Sequence, residues 1–225
     1  MALAGRIHSL HAGMGTVHLI EAEEGWVLVD AGSPGHAEQI LEALQALGGG
    51  ALRLIYITHG HFDHYGSARA LQRETGAPIA IHEADEAAMA AGRTPIRSTH
   101  GYGRVARLFL PLVEWILRPQ PTRANVVLAD RERLDIYGLD AVVLHTPGHT
   151  PGSTSLIVGG QVAFVGDLLS TRGGLHVQDL YATDWSRLGH SLARLQAYAP
   201  ERIYPGHGRR PASGAALQAL TVSEE

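Results

Sequence analysis

Three histidines and an aspartate stand within six residues in Thr58-His59-Gly60-His61-Phe62-Asp63-His64, directly after the apolar run Leu54-Ile55-Tyr56-Ile57. One turn at the end of a buried strand thus delivers four side chains able to hold a metal, and no other stretch constrains the fold as much. His59 and His61 are two apart, so on the extended end of a strand they point the same way and can grip one ion together. Asp63 and His64 follow as the chain turns, where reaching the same ion would crowd it; two ions side by side resolve the geometry. The helical zinc motif, with histidines four apart around a glutamate, is absent, so the site is expected on a loop after a strand.

Composition narrows the partners. With 225 residues and 45% apolar content, the chain suits one domain, residues 1–225, with a sizeable core. Its net charge is -4 with both signs scattered, which provides no footprint for nucleic acid and points to a small-molecule partner. Cysteine is absent, so any metal is held by nitrogen and oxygen. Met1 to Leu10 lacks the apolar centre of a signal peptide. Val105 to Leu117 is too short to span a bilayer and carries Arg107, Pro111 and Glu114. A soluble, cytoplasmic protein that does not bind membranes is the expectation.

Strands and helices alternate along the first third. Arg6–Leu10, Thr16–Glu21 and Trp26–Asp30 read as strands, and Pro34 opens a helix to about Leu47 with Ile40, Leu41, Leu44 and Leu47 as its buried stripe. Leu52–Thr58 is a strand covered on both faces. A helix is expected over His64–Thr75, a strand over Pro78–His82 and a helix over Glu83–Ala91. Gly92–Gly103 reads as loop, and Arg104–Arg118 as a helix apolar on more than one side. Residues 92–121 are therefore read as a helical insertion that covers the site or forms a dimer contact, in a monomer or homodimer. Further strands are expected at Asn125–Ala129, Glu132–Tyr137, Asp140–His145, Ser153–Val158 and Gln161–Val165, with tight turns at Tyr137-Gly138 and Gly159-Gly160. A helix over Asp184–Tyr198, a strand over Arg202–Tyr204 and a helical turn near Ala215–Leu220 complete the chain.

Three later turns each present one ligand-type side chain among small residues: Pro147-Gly148-His149, Gly166-Asp167 and Pro205-Gly206-His207-Gly208. Glycine beside a ligand lets the backbone turn sharply and leaves the site open on one side. With the first loop they supply His59, His61, Asp63, His64, His149, Asp167 and His207, enough for two ions if one carboxylate is shared. Asp30 also ends an apolar strand and reads either as the acceptor of an N–H from a ligand histidine or as a simple turn former. His145, His176, His190, Tyr65 and Tyr181 are read as residues with local partners rather than as pocket lining.

These motifs, in this order and spread over almost the whole chain, resemble the metallo-β-lactamase fold superfamily, specifically its glyoxalase II-like hydrolases. The resemblance implies an α/β protein with an αββα sandwich of two mixed sheets and ions at one edge between them. It further implies that His59, His61 and His149 hold one ion, Asp63, His64 and His207 the other, and that Asp167 bridges them. Zinc is the expected metal, with iron or manganese as alternatives, since imidazole and carboxylate ligands accept all three. Metal binding lowers the pKa of water from about 15.7 to about 7, so a hydroxide shared by the ions would attack an ester, thioester or lactone carbonyl. Asp63 and Asp167 are the acidic residues placed at that reaction. Asp167 and the lack of cysteine speak against antibiotic hydrolysis. The short chain after His207 speaks against glutathione specificity. Two alternatives in the same family are a persulfide dioxygenase with one iron and a non-catalytic metal-binding module.

Overall fold

Alternating side chains on two strands set the layering of the molecule. Along β3 (Gly25–Val29) and β4 (Leu52–Tyr56), Val27, Val29, Leu54 and Tyr56 turn to one face while Leu28 and Ile55 turn to the other. Both faces are buried, which is why β4 reads as a continuous apolar run. The computed structural model describes residues 7–95, 102–178, 181–208 and 210–221.

The first sheet contains β1 (Ile7–Ala12), β2 (Gly15–Ala22), β3, β4, β5 (Ile79–His82) and β6 (Val126–Leu128), in that spatial order. Its first three strands form an antiparallel meander, and β3 to β6 run parallel. The second sheet takes β7 (Ala141–His145), β8 (Thr154–Val158), β9 (Val162–Ser170), β11 (Arg202–His207) and β12 (Ala212–Ser213) in the order β12-β11-β9-β8-β7, with β10 (His176–Val177) beside β9. Here β9 and β11 are the parallel pair.

Between the sheets, Val27, Val29, Leu54 and Tyr56 meet Val143, Leu156, Val158 and Phe164. On the outer face of the first sheet, Leu28, Ile55 and Ile79 pack on Ile40 and Leu44 of α1 (Ala37–Ala46), Phe62 and Tyr65 of α2 (Phe62–Tyr65), Leu71 of α3 (Ala68–Thr75) and Met89 of α4 (Glu83–Ala90). On the outer face of the second, Ile157, Ala163 and Val165 pack on Leu188, Leu192 and Leu195 of α6 (Trp185–Ala197) and Leu217 of α7 (Gly214–Gln218). The architecture is the expected αββα sandwich. Remaining from the chain order is α5 (Tyr102–Leu117), discussed below.

Several expected elements differ. The first helix begins at Ala37 rather than Pro34, because Gly35 adopts a left-handed φ of 88° that no helix continues. The single helix expected over His64–Thr75 is two, α2 and α3, broken at Gly66-Ser67. The Ser67 hydroxyl donates to the Ser33 carbonyl at 2.7 Å and accepts from His36 N at 2.9 Å, which pins the break to the turn after β3. Glu132–Tyr137 is not a strand: Asp135–Tyr137 is one 3-10 turn, and only Arg133 bridges to Val142. Arg133 pairs with Asp135 and Asp140 across that turn, which favours the tight path over an extended one. β9 runs on to Ser170 and β11 to His207, so Asp167 and His207 lie within strands rather than in turns after them. The β8–β9 hairpin closes as expected through Gly159 and Gly160, at φ 55° and 68°. Arg6, and residues 96–101 of the expected Gly92–Gly103 loop, lie outside the described residues.

The helix α5 is as apolar as the sequence indicates, with Leu108, Phe109, Leu112, Trp115 and Ile116 exposed and Val113 and Leu117 packed on the outer core of the first sheet. Glu114 accepts from Thr94 N at 2.9 Å, tying the helix to the segment ahead of it.

Candidate metal centre

The ligand-type side chains gather at one edge of the two sheets, following β4 in the first and coming from the β7–β8 turn, β9 and β11 in the second. His59 and His61 follow β4, with Asp63 and His64 in the single turn of α2; His149 sits in the turn between β7 and β8. Asp167 belongs to β9 and His207 ends β11. All seven are buried. The structure brings them into two groups, His59, His61, His149 and Asp167 in one and Asp63, His64 and His207 in the other, with candidate ligand atoms within 4.8 Å of one another in each group. Asp167 faces both: its Oδ2 is 3.4 Å from His149 Nε2 and 3.1 Å from His207 Nε2, and its Oδ1 is 3.4 Å from His64 Nε2. Asp63 Oδ2 is 3.4 Å from His207 Nε2.

Outer hydrogen bonds fix which nitrogen of each ring faces inward. His64 Nδ1 donates to Asp30 Oδ2 at 2.8 Å. The Thr58 hydroxyl gives its single hydrogen to Asp30, so it accepts from His59 Nδ1 at 3.1 Å. His61 Nε2 donates to the Pro95 carbonyl at 3.3 Å, and His207 Nδ1 to the Met14 carbonyl at 3.1 Å. Each of these four rings thus has its outer nitrogen hydrogen-bonded and turns the other nitrogen to the centre, the arrangement that orients metal-bound imidazoles. The fifth ring is anchored differently, with His149 Nε2 3.0 Å from His61 Nδ1.

This donor set fits a pair of divalent cations. His59 Nε2, His64 Nε2 and Asp167 Oδ1 are buried without a hydrogen-bond partner, and such atoms are costly unless something positive sits among them. Burial lowers the pKa of His59, of His61 and of His149, the last to about 3, so these rings stay neutral as ligands must. For His64 burial acts in the same direction, but the carboxylates of Asp30, Asp167 and Asp63 prevail and raise it. Burial is likewise outweighed at His207, raised by Asp167, and at Asp167, whose carboxyl the charges of His207 and His64 hold well below the usual range.

Asp30 takes the acceptor role, not only that of a turn former: it receives Thr58 N at 2.8 Å as well as the Thr58 hydroxyl and the His64 ring. Its backbone is left-handed, φ 60°, a conformation uncommon outside glycine. Of the residues read as having local partners, His145 bonds the Pro151 carbonyl, His176 the Gly174 carbonyl and His190 the Ser186 carbonyl. Tyr65 is buried in the first-sheet core. At Tyr181 burial raises the phenol pKa and the charge on Asp63 adds to it. The sequence reading passed over Thr58, Met14, Pro95 and Asp85, whose hydrogen bonds surround the ligands. Only Thr58, next to His59, stood in a motif that could have marked it.

A family model described as the metallo-beta-lactamase superfamily matches residues 11–207. Among named proteins, the chain is 32% identical over 225 residues to the probable metallo-hydrolase YflN of Bacillus subtilis, covering 90% of this chain and 83% of that protein. It is 30% identical over 178 residues to the hydroxyacylglutathione hydrolase GloC of Haemophilus influenzae, covering 76% and 73%. Among solved structures, TTHA1623 in a di-iron-bound form superposes with a TM-score of 0.70 at 32% identity over 96% of this chain and 97% of that one. The BLEG-1 B3 metallo-beta-lactamase shares the fold at a TM-score of 0.73 and 23% identity, over 96% and 97%. Among the described residues no helix is long and apolar enough to cross a membrane.

Proposed function

The chain belongs to the metallo-β-lactamase superfamily, and from that membership we propose that it is a dinuclear metal-dependent hydrolase of an ester, thioester or lactone. The observation that carries the reading is Asp167, whose two oxygens face inward-turned ring nitrogens of both ligand groups. His59, His61 and His149 would hold one ion, Asp63, His64 and His207 the other, with Asp167 shared. Bound there, two divalent ions supply Lewis acidity and bring the pKa of water to about 7.

The chain supplies the rest. Asp30, Thr58, Pro95 and Met14 hold the rings in one tautomer and one orientation, so no side chain has to reorganise during reaction. Asp63 and Asp167, whose carboxylates both approach His207 Nε2, would orient the attacking water. Water adds to the carbonyl carbon, the acyl–oxygen or acyl–sulfur bond breaks, and a carboxylic acid and an alcohol or thiol leave. Alkoxide and thiolate leaving groups need less acid assistance than an amine, which is why ester-like bonds are preferred to amides. GloC, by its name, hydrolyses a thioester of glutathione, which puts thioesters first in the panel. Zinc is the first choice of metal; the di-iron form of TTHA1623 keeps iron beside it, with manganese third.

The test is a panel of thioesters, lactones and aryl esters offered to protein reconstituted with zinc, iron or manganese. Turnover of one class that disappears with chelator is expected. Absence of turnover on every class, together with oxygen consumption on a persulfide, would replace the hydrolase with the oxidative alternative.

A further inference from the structure

The loop bearing His59 and His61 extends from the first sheet and the turn bearing His149 from the second, yet one buried carboxylate holds both. Asp85, in the first turn of α4, is fully buried. Its Oδ2 accepts from Gly60 N at 2.8 Å and from Thr150 Oγ1 at 2.5 Å, and its Oδ1 accepts from Gly152 N at 2.8 Å. Gly60 lies between His59 and His61; Thr150 adjoins His149 and Gly152 follows two residues later. The Thr150 hydroxyl is itself 2.8 Å from Ser153 Oγ, so the His149 turn is braced around the same carboxylate. The fit is close: a Cβ on Gly152 would stand 2.6 Å from Asp85 Cγ, and one on Gly60 would stand 3.3 Å from Asp85 Cβ. Asp30, the other carboxylate behind the site, bonds His64 directly and His59 only through Thr58.

We infer that Asp85 is a positioning residue that fixes the separation of His59 and His61 from His149 and so sets the affinity of the three-histidine ion site alone. The inference rests on the two-ion reading above. Three donors meet two oxygens, so an amide cannot stand in for the acid. Whichever way Asn is turned, its NH2 meets the N–H of Gly60 or of Gly152. The loop and the turn then move apart, while Asp63, His64 and His207 keep every contact that holds them.

The experiment titrates metal-free protein with Zn2+ against a chromophoric chelator. Wild type is expected to take two equivalents. In Asp85→Asn one equivalent weakens about tenfold or more while the other is unchanged, the scale seen when supporting partners of metal ligands are removed. Thr150→Val gives a smaller loss at the same equivalent, and Thr150→Ser restores it. His149→Ala retains one equivalent, and adding Asp85→Asn leaves that one unchanged. If Asp85→Asn does not fold, the Thr150 pair decides the matter. Equal weakening of both equivalents, or weakening of the one that His149→Ala retains, overturns the positioning role while leaving the two-ion reading intact. Wild type taking up fewer than two equivalents overturns the two-ion reading and this inference with it.

Discussion

Asp30 Oδ2 lies 2.8 Å from His64 Nδ1, and neither side chain is more than 2% exposed. The same carboxylate accepts the Thr58 amide and hydroxyl, so it orients two rings of the candidate metal centre from behind, one directly and one through Thr58. Asp30→Ala is expected to lower metal affinity by about 10- to 100-fold, the usual cost of removing such a partner. Chelator competition at fixed pH measures this; unaltered affinity would contradict the role assigned to Asp30.

Asp167 faces both ligand groups, so its removal affects both sites. Asp167→Ala should lose at least one ion and nearly all turnover while keeping the far-ultraviolet circular dichroism of the folded chain, because its neighbours in β9 keep their ladder to β11. Full activity in that variant would refute the shared-carboxylate reading.

Gly206 is required for space rather than for conformation. A Cβ there would stand 2.5 Å from His64 Cε1 and 2.7 Å from Asp167 Oδ1. Gly206→Ala is therefore expected to displace two ligand residues and weaken metal binding by about tenfold or more, on the scale of lost ligand support. Metal titration alongside thermal unfolding of the metal-free protein separates this from a general loss of stability; equal metal affinity in variant and wild type would count against the packing argument.

His18 makes stability pH-dependent through a residue outside the ligand groups. It is buried between the rings of Phe164 and Tyr204, with Nδ1 2.8 Å from Ser9 Oγ, and burial lowers its pKa from 6.5 to about 3. The unfolded chain then binds the proton more readily, so the contribution of His18 is intact above pH 6.5 and is lost as pH falls from 6.5 toward 3. At about 1.4 kcal/mol per pH unit, roughly 2 kcal/mol disappears between pH 7 and pH 5. Urea unfolding of wild type and His18→Leu at both pH values checks this: the variant should lose about 2 kcal/mol less on acidification. Parallel losses in the two proteins would contradict it.

The residues of the candidate metal centre were legible in the sequence because ligand-type chemistry is local. His59, His61, Asp63 and His64 announce themselves by density, and His149, Asp167 and His207 by the glycines beside them. The αββα layering came with the family resemblance, which the order of the motifs along the chain carries. What escaped were features set by distant partners. The break between α2 and α3 depends on Ser67 reaching Ser33 across 34 positions, and the turn at Asp135–Tyr137 on arginine pairing that no hydrophobic period encodes. Asp85 is the sharpest case, since nothing in Glu83-Ala84-Asp85-Glu86 marks one acid as fully buried and bonded to residues 25 and 67 positions away.

The most direct test of the whole account is elemental analysis of protein purified without added metal or chelator. Two zinc, iron or manganese ions per chain, falling to one or none in Asp167→Ala, is the predicted result. A single ion per wild-type chain, unchanged by Asp167→Ala, would contradict the dinuclear centre on which the proposed hydrolase rests.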